Sequence, residues 1–137
     1  MKTFGVDITS TDIVDNLSFF DSWDDRYKYI IDLGKELPPM DVADHVDENL
    51  IRGCQSKVWL SSESREGRLY FNVDSDAFIV KGLLAIVMAA YNGKTPAEIR
   101  AFDIQGFFES IDLMRHLSTT RGSGLQAMVA RIQSLAV

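Results

Sequence analysis

Cysteine, histidine and proline are scarce in this chain. Its 137 residues include one cysteine, two histidines and three prolines. A single cysteine excludes an intramolecular disulfide. Cys54, His45 and His116 are also far apart in sequence and show none of the close spacings of a zinc site. We therefore expect a fold that depends neither on a disulfide framework nor on a structural metal.

Long apolar segments are also missing. The longest apolar run, residues 83–91, is about half the length of a membrane-spanning helix. The first seven residues lack the apolar stretch that a secretory signal needs. Both absences predict a protein that neither crosses a membrane nor is secreted. We expect a reducing, cytoplasmic setting, in which a free thiol survives as a thiol.

Positive charge is in the minority. Lys and Arg number 14 against 20 Asp and Glu, and the net charge is −6. This charge repels phosphate and no basic stretch offsets it, so nucleic acid is not an expected partner, whereas a protein partner stays open. The composition is otherwise ordinary, at 46% hydrophobic and 25% charged. The length is that of one domain, so we expect residues 1–137 to form a single domain.

The apolar pattern predicts an α+β fold. Residues 57–61 and 68–73 alternate as the strands of a β-hairpin with the loop 62–67, and residues 49–52 are a candidate third strand. Helical spacing predicts about six helices: 9–20, 22 to the prolines at 38–39, 77–91, a short one from 96, 102–113 and 125–136. We expect a small antiparallel sheet of two to three strands packed among these helices. Helix 77–91 is apolar almost all round and should be central.

Polar residues ahead of the helices predict where each one begins. Ser10 or Thr11 is expected to cap the first helix, and Ser22 the second. The segment 74–76, Asp-Ser-Asp, is interpreted as the cap and first turn of the central helix. Residues 118–124 are predicted to form a polar connection to the last helix.

Cys54 is the main candidate for chemistry. Gly53 before it permits a tight turn, and Gln55 and Ser56 after it keep that turn polar, ahead of a predicted strand. A nucleophilic thiolate must be accessible to its partner and held by nearby positive charge or N–H groups. The residues alone leave two interpretations open, an inert buried cysteine, which is the commoner case, and a functional thiol.

His116 and the segment 121–124 are weaker candidates. His116 could serve as a general base for Cys54 in a cysteine hydrolase, but a histidine bonded to backbone at a helix end is the more usual case. No Asn or Asp spacing completes a protease-like triad. Arg121-Gly122-Ser123-Gly124 precedes a predicted helix, where anions can bind, but it lacks the Gly-Lys-Ser/Thr ending of a P-loop. A connector with a helix cap also explains this segment.

Several motifs in one order resemble the SufE family of sulfur-acceptor proteins, including its close paralogue CsdE. The resemblance runs from about residue 13 to 132. The motifs that carry it are Trp23-Asp24-Asp25-Arg26-Tyr27, Tyr29-Ile30-Ile31-Asp32-Leu33-Gly34, Leu37-Pro38, Arg52-Gly53-Cys54-Gln55-Ser56-Lys57-Val58-Trp59-Leu60, Asp74-Ser75-Asp76-Ala77, Ile79-Val80-Lys81-Gly82-Leu83-Leu84-Ala85, Gly93-Lys94-Thr95-Pro96, His116-Leu117-Ser118, Arg121 and Gly124-Leu125-Gln126-Ala127-Met128. Two departures are Thr120-Arg121-Gly122, where the family usually has Ser-Arg-Ser, and Val73 in place of a common Gly. The subfamily, SufE or CsdE, stays open.

The resemblance implies a fold shared with SufE and with the IscU-type scaffolds, and it implies a role for Cys54. In this family a PLP-dependent cysteine desulfurase holds sulfur as a persulfide on its own cysteine. The acceptor cysteine takes the outer sulfur and carries it toward an iron–sulfur cluster scaffold. Cys54 is then the acceptor thiol, and Arg121 the residue that stabilises its thiolate or persulfide. The supporting residues are Gly53, Gln55, Ser56 and His116.

The resemblance further implies that the chain is an accessory protein without a catalytic cycle of its own. We expect no cofactor, because PLP belongs to the desulfurase, and no metal. Expected partners are a SufS- or CsdA-type desulfurase, which the chain stimulates, and an iron–sulfur scaffold or other sulfur-receiving protein. Monomer and homodimer both stay open. One alternative is a scaffold-like module for a metal or nascent cluster, although one cysteine is few ligands for it. A cysteine hydrolase is the other alternative.

Overall fold

The computed structural model describes residues 3–137, which form six α-helices, one β-hairpin and three short 3₁₀ turns. The helices are α1 Ser10–Leu17, α2 Trp23–Lys35, α3 Phe78–Tyr91, α4 Pro96–Ala101, α5 Ile104–Ser110 and α6 Thr119–Leu135. The strands are β1 Val58–Arg65 and β2 Arg68–Ser75, and the 3₁₀ turns are Val42–Asp44, Asp47–Asn49 and Met114–His116. The predicted α+β architecture is confirmed.

Helix α3 lies at the centre of the core, as its apolar sequence predicts. Eleven of its fourteen residues are buried, and α1, α2, α6 and β2 all pack against it. Helix α2 crosses α3 with the two backbones in direct contact. A Cβ built on Gly34 would lie 2.6 Å from the backbone N of Gly82. Glycine at both positions therefore lets the two helices approach more closely than any side chain would allow.

The hairpin joins its strands through a tighter turn than the sequence predicts. The strands pair in antiparallel register from Val58 with Ser75 to Arg65 with Arg68, which leaves only Glu66 and Gly67 in the turn. The predicted six-residue loop 62–67 is therefore wrong. Both turn residues have positive φ, 54° and 78°, which suits the right-handed twist of the strands. Residues 62–65 are extended although exposed, because ladder hydrogen bonds rather than burial hold them.

The candidate third strand is reduced to a single bridge within the described residues. Leu50 bridges to Trp59, and the Ile51 N–H donates to the Val58 carbonyl at 2.8 Å. The sheet consequently has two strands. The 3₁₀ turn Asp47–Asn49 bends the chain away before further pairing can form.

Two predicted helix starts are corrected by the structure. The cap of α1 is Thr9, whose hydroxyl accepts from the Asp12 N–H in a capping box. The Asp-Ser-Asp segment 74–76 does not cap α3, which begins after Ala77 without a side-chain cap. Its first two residues instead end β2. Ser22 does cap α2 as predicted, accepting from the Asp25 N–H at 3.2 Å.

Helix α6 begins earlier than the sequence predicts, and α5 is shorter. Ser118 caps α6 by accepting from the Arg121 N–H at 3.2 Å, so residues 119–124 are helical rather than a connection. The two glycines there, at 122 and 124, lower helix propensity, and this misled the sequence prediction. Both are buried. Helix α5 ends at Ser110, short of the predicted residue 113.

Candidate functional site

Cys54 lies in a short loop, residues 52–56, between the Leu50–Trp59 bridge and the start of β1. Gly53 has φ of +91°, a conformation that side chains oppose, so the predicted turn needs its glycine. A Cβ at Gly53 would also lie 3.4 Å from the Ala127 Cβ. The loop therefore rests on α6. This contact turns the thiol inward.

The Cys54 thiol packs against the core and is half-buried. Its Sγ–H donates to the Gly124 carbonyl with an S···O distance of 3.6 Å. This is the one hydrogen bond that joins residues 52–56 to the rest of the described chain. A Cβ on Gly124 would lie 3.6 Å from Cys54 Sγ. Gly124 thus provides the acceptor, and a methyl group there would be in ordinary contact with the thiol.

A small cavity of about 20 Å³ adjoins the thiol. This volume is about that of one water molecule. The loop, α3 and α6 each contribute to its walls, which consist of Cys54, Gln55, Ser56, Val80, Leu83, Thr120, Arg121, Gly124 and Met128. The cavity therefore has room for about one water-sized group beside Cys54.

Burial raises the pKa of the Cys54 thiol above its ordinary value. Removing the thiolate from water disfavours the charged form. In this closed arrangement Cys54 is therefore a neutral thiol at physiological pH, with its proton directed at a carbonyl. Because only the thiolate is a strong nucleophile, reaction requires the loop to open or a positive charge to approach.

Arg121 is the positively charged residue among those that line the Cys54 cavity. It is half-buried on the wall of the Cys54 cavity, in the first turn of α6. The amino end of a helix carries a partial positive charge, and no acidic residue occupies this first turn. The structure thus brings Arg121, Gln55 and Ser56 together around Cys54. Their roles stay predictions.

His116 lies in a different cluster. Its Nδ1 contacts the Asp112 carbonyl at 3.0 Å, and its ring stacks on Trp23 with centroids 3.8 Å apart. It is not among the residues that line the Cys54 cavity. The structure does not bring His116 and Cys54 together as a nucleophile and its base.

The downstream end of the Cys54 loop is held by the Asp-Ser-Asp segment, a role that sequence analysis missed. The Lys57 N–H donates to Asp76 Oδ1 at 3.1 Å, and the Ser75 hydroxyl donates to the Lys57 carbonyl at 2.7 Å. The Asp76 N–H reaches the same carbonyl at 3.3 Å. The loop therefore departs from a fixed point at Lys57. A sequence signal existed, because the segment directly follows an alternating strand.

Comparison with known proteins shows which family the chain belongs to. The family model described as "SufE: Fe-S metabolism associated domain" matches residues 11–136. The chain belongs to the SufE family. Membership associates the chain with iron–sulfur metabolism, as the resemblance predicts. The sulfur-acceptor mechanism stays a prediction.

Two curated SufE-like relatives, both from rhizobia and both uncharacterized, resemble the chain over most of its length. A SufE-like protein of Rhizobium meliloti (strain 1021) is 44% identical over 132 residues, 93% of this chain and 94% of the relative. One of Rhizobium etli (strain ATCC 51251) is 45% identical over 125 residues, 88% of this chain and 84% of the relative.

A solution structure of a hypothetical protein from Thermus thermophilus has a similar fold. Its TM-score is 0.75 at 16% identity, covering 93% of this chain and 92% of that one. At this identity the similarity concerns the fold alone, and it agrees with the α+β SufE-like architecture.

Two further features of this SufE-family chain bear on the alternatives. Among residues 3–137, no three His, Cys, Asp or Glu side chains are grouped so as to hold a metal ion. The scaffold-like alternative therefore gains no support from a ligand cluster. Within the same residues, no helix is long and apolar enough to cross a membrane.

Proposed function

We propose that this SufE-family chain is a sulfur acceptor that is loaded on Cys54 by a PLP-dependent cysteine desulfurase of the SufS or CsdA type. The observation that carries the proposal is the position of the single thiol. It lies on a glycine turn, is sheltered against α6 and adjoins a cavity of one-atom size. The chain supplies no chemistry that would generate sulfur itself and acts as an accessory protein.

The transfer step is a thiol–persulfide exchange. The Cys54 thiolate attacks the outer sulfur of the desulfurase persulfide, the S–S bond breaks, and the desulfurase cysteine leaves as a thiolate. Cys54 then carries the persulfide, and the proton released by Cys54 balances the one that the desulfurase thiol regains. No external oxidant or reductant is needed. Emptying the desulfurase cysteine frees that enzyme for another turnover, which accounts for stimulation.

The loop alternates between a closed state, which shelters Cys54, and an open state, in which Cys54 reacts. When closed, the loop keeps the neutral thiol, or the persulfide in its small cavity, away from oxidants and competing thiols. When open, Cys54 leaves the apolar wall and its pKa falls toward the ordinary value, which favours the thiolate. Opening costs little free energy, because residues 52–56 are attached by one thiol hydrogen bond.

Arg121 supports the charged species of this exchange. It is one of the residues that line the Cys54 cavity, at the amino end of α6, where positive charge and the helix dipole both favour a thiolate or persulfide anion. An iron–sulfur scaffold or another sulfur-receiving protein then takes the sulfur by the same exchange. A reducing compartment such as the cytoplasm suits this cycle, because a free Cys54 thiol must be regenerated.

The alternatives lack a specific supporting observation. A cysteine hydrolase needs a base at Cys54, and the ring of His116 instead stacks on Trp23. A metal or cluster module needs several ligands close together, and the described residues do not group them.

Intact-protein mass spectrometry tests the proposal directly. Wild type and Cys54→Ser are incubated with SufS- and CsdA-type desulfurases, PLP and cysteine without reductant, and alanine release shows that each desulfurase turns over. We expect one added sulfur atom on wild type and none on Cys54→Ser. Absence of added sulfur on wild type beside active desulfurases of both types, or equal gain on the Ser variant, would contradict the proposal.

A further inference from the structure

The segment just upstream of the Cys54 loop, residues 41–49, adheres to the protein without any apolar anchor. None of its side chains is buried, and two of its valines, Val42 and Val46, are 79% and 42% exposed. Hydrophobic burial, the usual cause of attachment, is therefore missing here. The segment must be held by polar contacts.

Few such contacts reach the rest of the described chain. The strongest is between His45 Nε2 and Asp74 Oδ2, at 2.7 Å. A carboxylate can only accept, so Nε2–H is the donor. The His45 ring also packs on Trp59, with centroids 4.3 Å apart. A longer bond, 3.3 Å, runs from Arg131 Nη2 to the Glu48 carbonyl. His45 is thus the principal attachment of the segment to the hairpin.

We propose that His45 is a positioning residue for Cys54, acting through Asp74. The segment that His45 holds continues directly into Leu50 and Ile51, which pair with β1, and then into residues 52–56. Asp74 lies next to Ser75 and Asp76, which hold the downstream end of the loop at Lys57. The downstream end of the Cys54 loop and the segment that leads to its upstream end are thereby attached to three consecutive residues. Loss of the His45 attachment leaves the upstream end held through Leu50 and Ile51.

Removing His45 is a clean perturbation because Asp74 keeps other partners. Lys81 Nζ lies 3.5 Å from Asp74 Oδ1, and the Ser75 N–H donates to the same oxygen at 2.9 Å. The carboxylate therefore remains compensated in His45→Ala. The main change is that residues 41–49 lose their principal attachment to the hairpin, which favours opening of the neighbouring loop.

The rate of Cys54 alkylation by iodoacetamide in the free protein measures this opening. We expect His45→Ala to raise the rate about three- to tenfold, the range for loss of one net hydrogen bond present only in the closed state. His116→Ala is the matched control. Its ring is also half-buried and stacked on a tryptophan, but it does not hold the segment 41–51. We expect it to leave the alkylation rate unchanged.

Rescue distinguishes positioning from general destabilisation. His45→Gln keeps an N–H donor of similar reach and should return the rate toward wild type. The effects of His45→Ala and Asp74→Ala should be less than additive in the double variant, because either substitution alone already removes the contact between the two side chains. Urea unfolding of each variant corrects for global stability. If His45→Ala folds poorly, amide exchange at Ile51 is compared between wild type and His45→Gln, and similar slow exchange is expected.

Three results would overturn the proposal. They are an unchanged alkylation rate in His45→Ala, an equal increase of that rate in His116→Ala, and fully additive effects of His45→Ala and Asp74→Ala. The inference rests on the proposed function only for its biological purpose, since no desulfurase is present in the assay. If Cys54 never accepts sulfur but the alkylation pattern holds, the proposed function fails and the positioning role stands.

Discussion

Gly124→Ala is the substitution that most directly probes the contact between Cys54 and α6. Alanine at an interior helix position is favoured over glycine by up to about 1 kcal/mol. The new methyl would meet Cys54 Sγ at 3.6 Å and the Cys54 Cα and Cβ at 3.9 Å, which are ordinary contact distances. We therefore expect the unloaded protein to fold normally and to gain about 0.5–1.5 kcal/mol in the free energy of unfolding, or several degrees in Tm.

The persulfide form should respond in the opposite direction. The cavity beside Cys54 has room for about one water-sized atom, and a methyl on Gly124 takes part of that room. The outer sulfur is then displaced toward solvent, and its lifetime in the presence of a small thiol should shorten severalfold. Thermal unfolding gives the first quantity, and timed mass spectrometry of the loaded protein gives the second.

Gly122→Ala provides the matched control for this prediction. It lies two residues earlier in the same helix and has the same gain in helix propensity, but its Cβ would meet only Met114 Cε, at 3.1 Å. That atom is the end of a flexible side chain and can move. Gly122→Ala should therefore leave the persulfide lifetime unchanged. A clear loss of stability in Gly124→Ala, or equal lifetimes in the two variants, would refute the packing argument.

Three other predictions concern the core and the thiol. Gly82→Ala should lower the free energy of unfolding by about 2–3 kcal/mol in urea titrations, because its Cβ would collide with the Ile30 backbone; a loss below about 1 kcal/mol would show that the helices separate easily. Burial raises the pKa of Cys54, and the thiolate is the reactive form. The pH at which the Cys54 alkylation rate increases should therefore be higher in the folded protein than in the urea-unfolded protein. Identical pH profiles of that rate in the two states would mean that the loop is open. Arg121→Ala should slow sulfur loading up to about tenfold, the effect of one pKa unit, with Arg121→Lys intermediate and unfolding midpoints unaltered; equal loading rates would remove Arg121 from the proposed step.

Local patterns predicted the main elements well. Helix α3 is apolar on nearly every side, so it is stable only when it is surrounded by other elements, and it lies at the centre of the core. The alternation around Val58 and Leu60 could only be a half-buried strand, and both side chains are buried. The Ser22 cap is likewise a purely local hydrogen bond. In each case neighbours in sequence decide the conformation.

Two of the errors, at the start of α6 and at residues 74–76, share one cause, which is that long-range contacts replaced local preference. Gly124 is helical and buried despite its low helix propensity, and its carbonyl accepts from Cys54, 70 residues away in sequence. The Asp-Ser-Asp segment has the composition of a helix cap, but its groups bond to Lys57 and His45. The partners of both come from other elements, so local composition does not identify these bonds.

The sequence by itself determined the α+β architecture, the family resemblance and the choice of Cys54 as the candidate thiol. It could do so because the hydrophobic period and motif order are properties of the chain. Only the tertiary structure decided that this thiol is sheltered, protonated and adjacent to Arg121 rather than His116. Burial and hydrogen bonding depend on which helices meet at residue 54, and that meeting is a property of the packed fold alone.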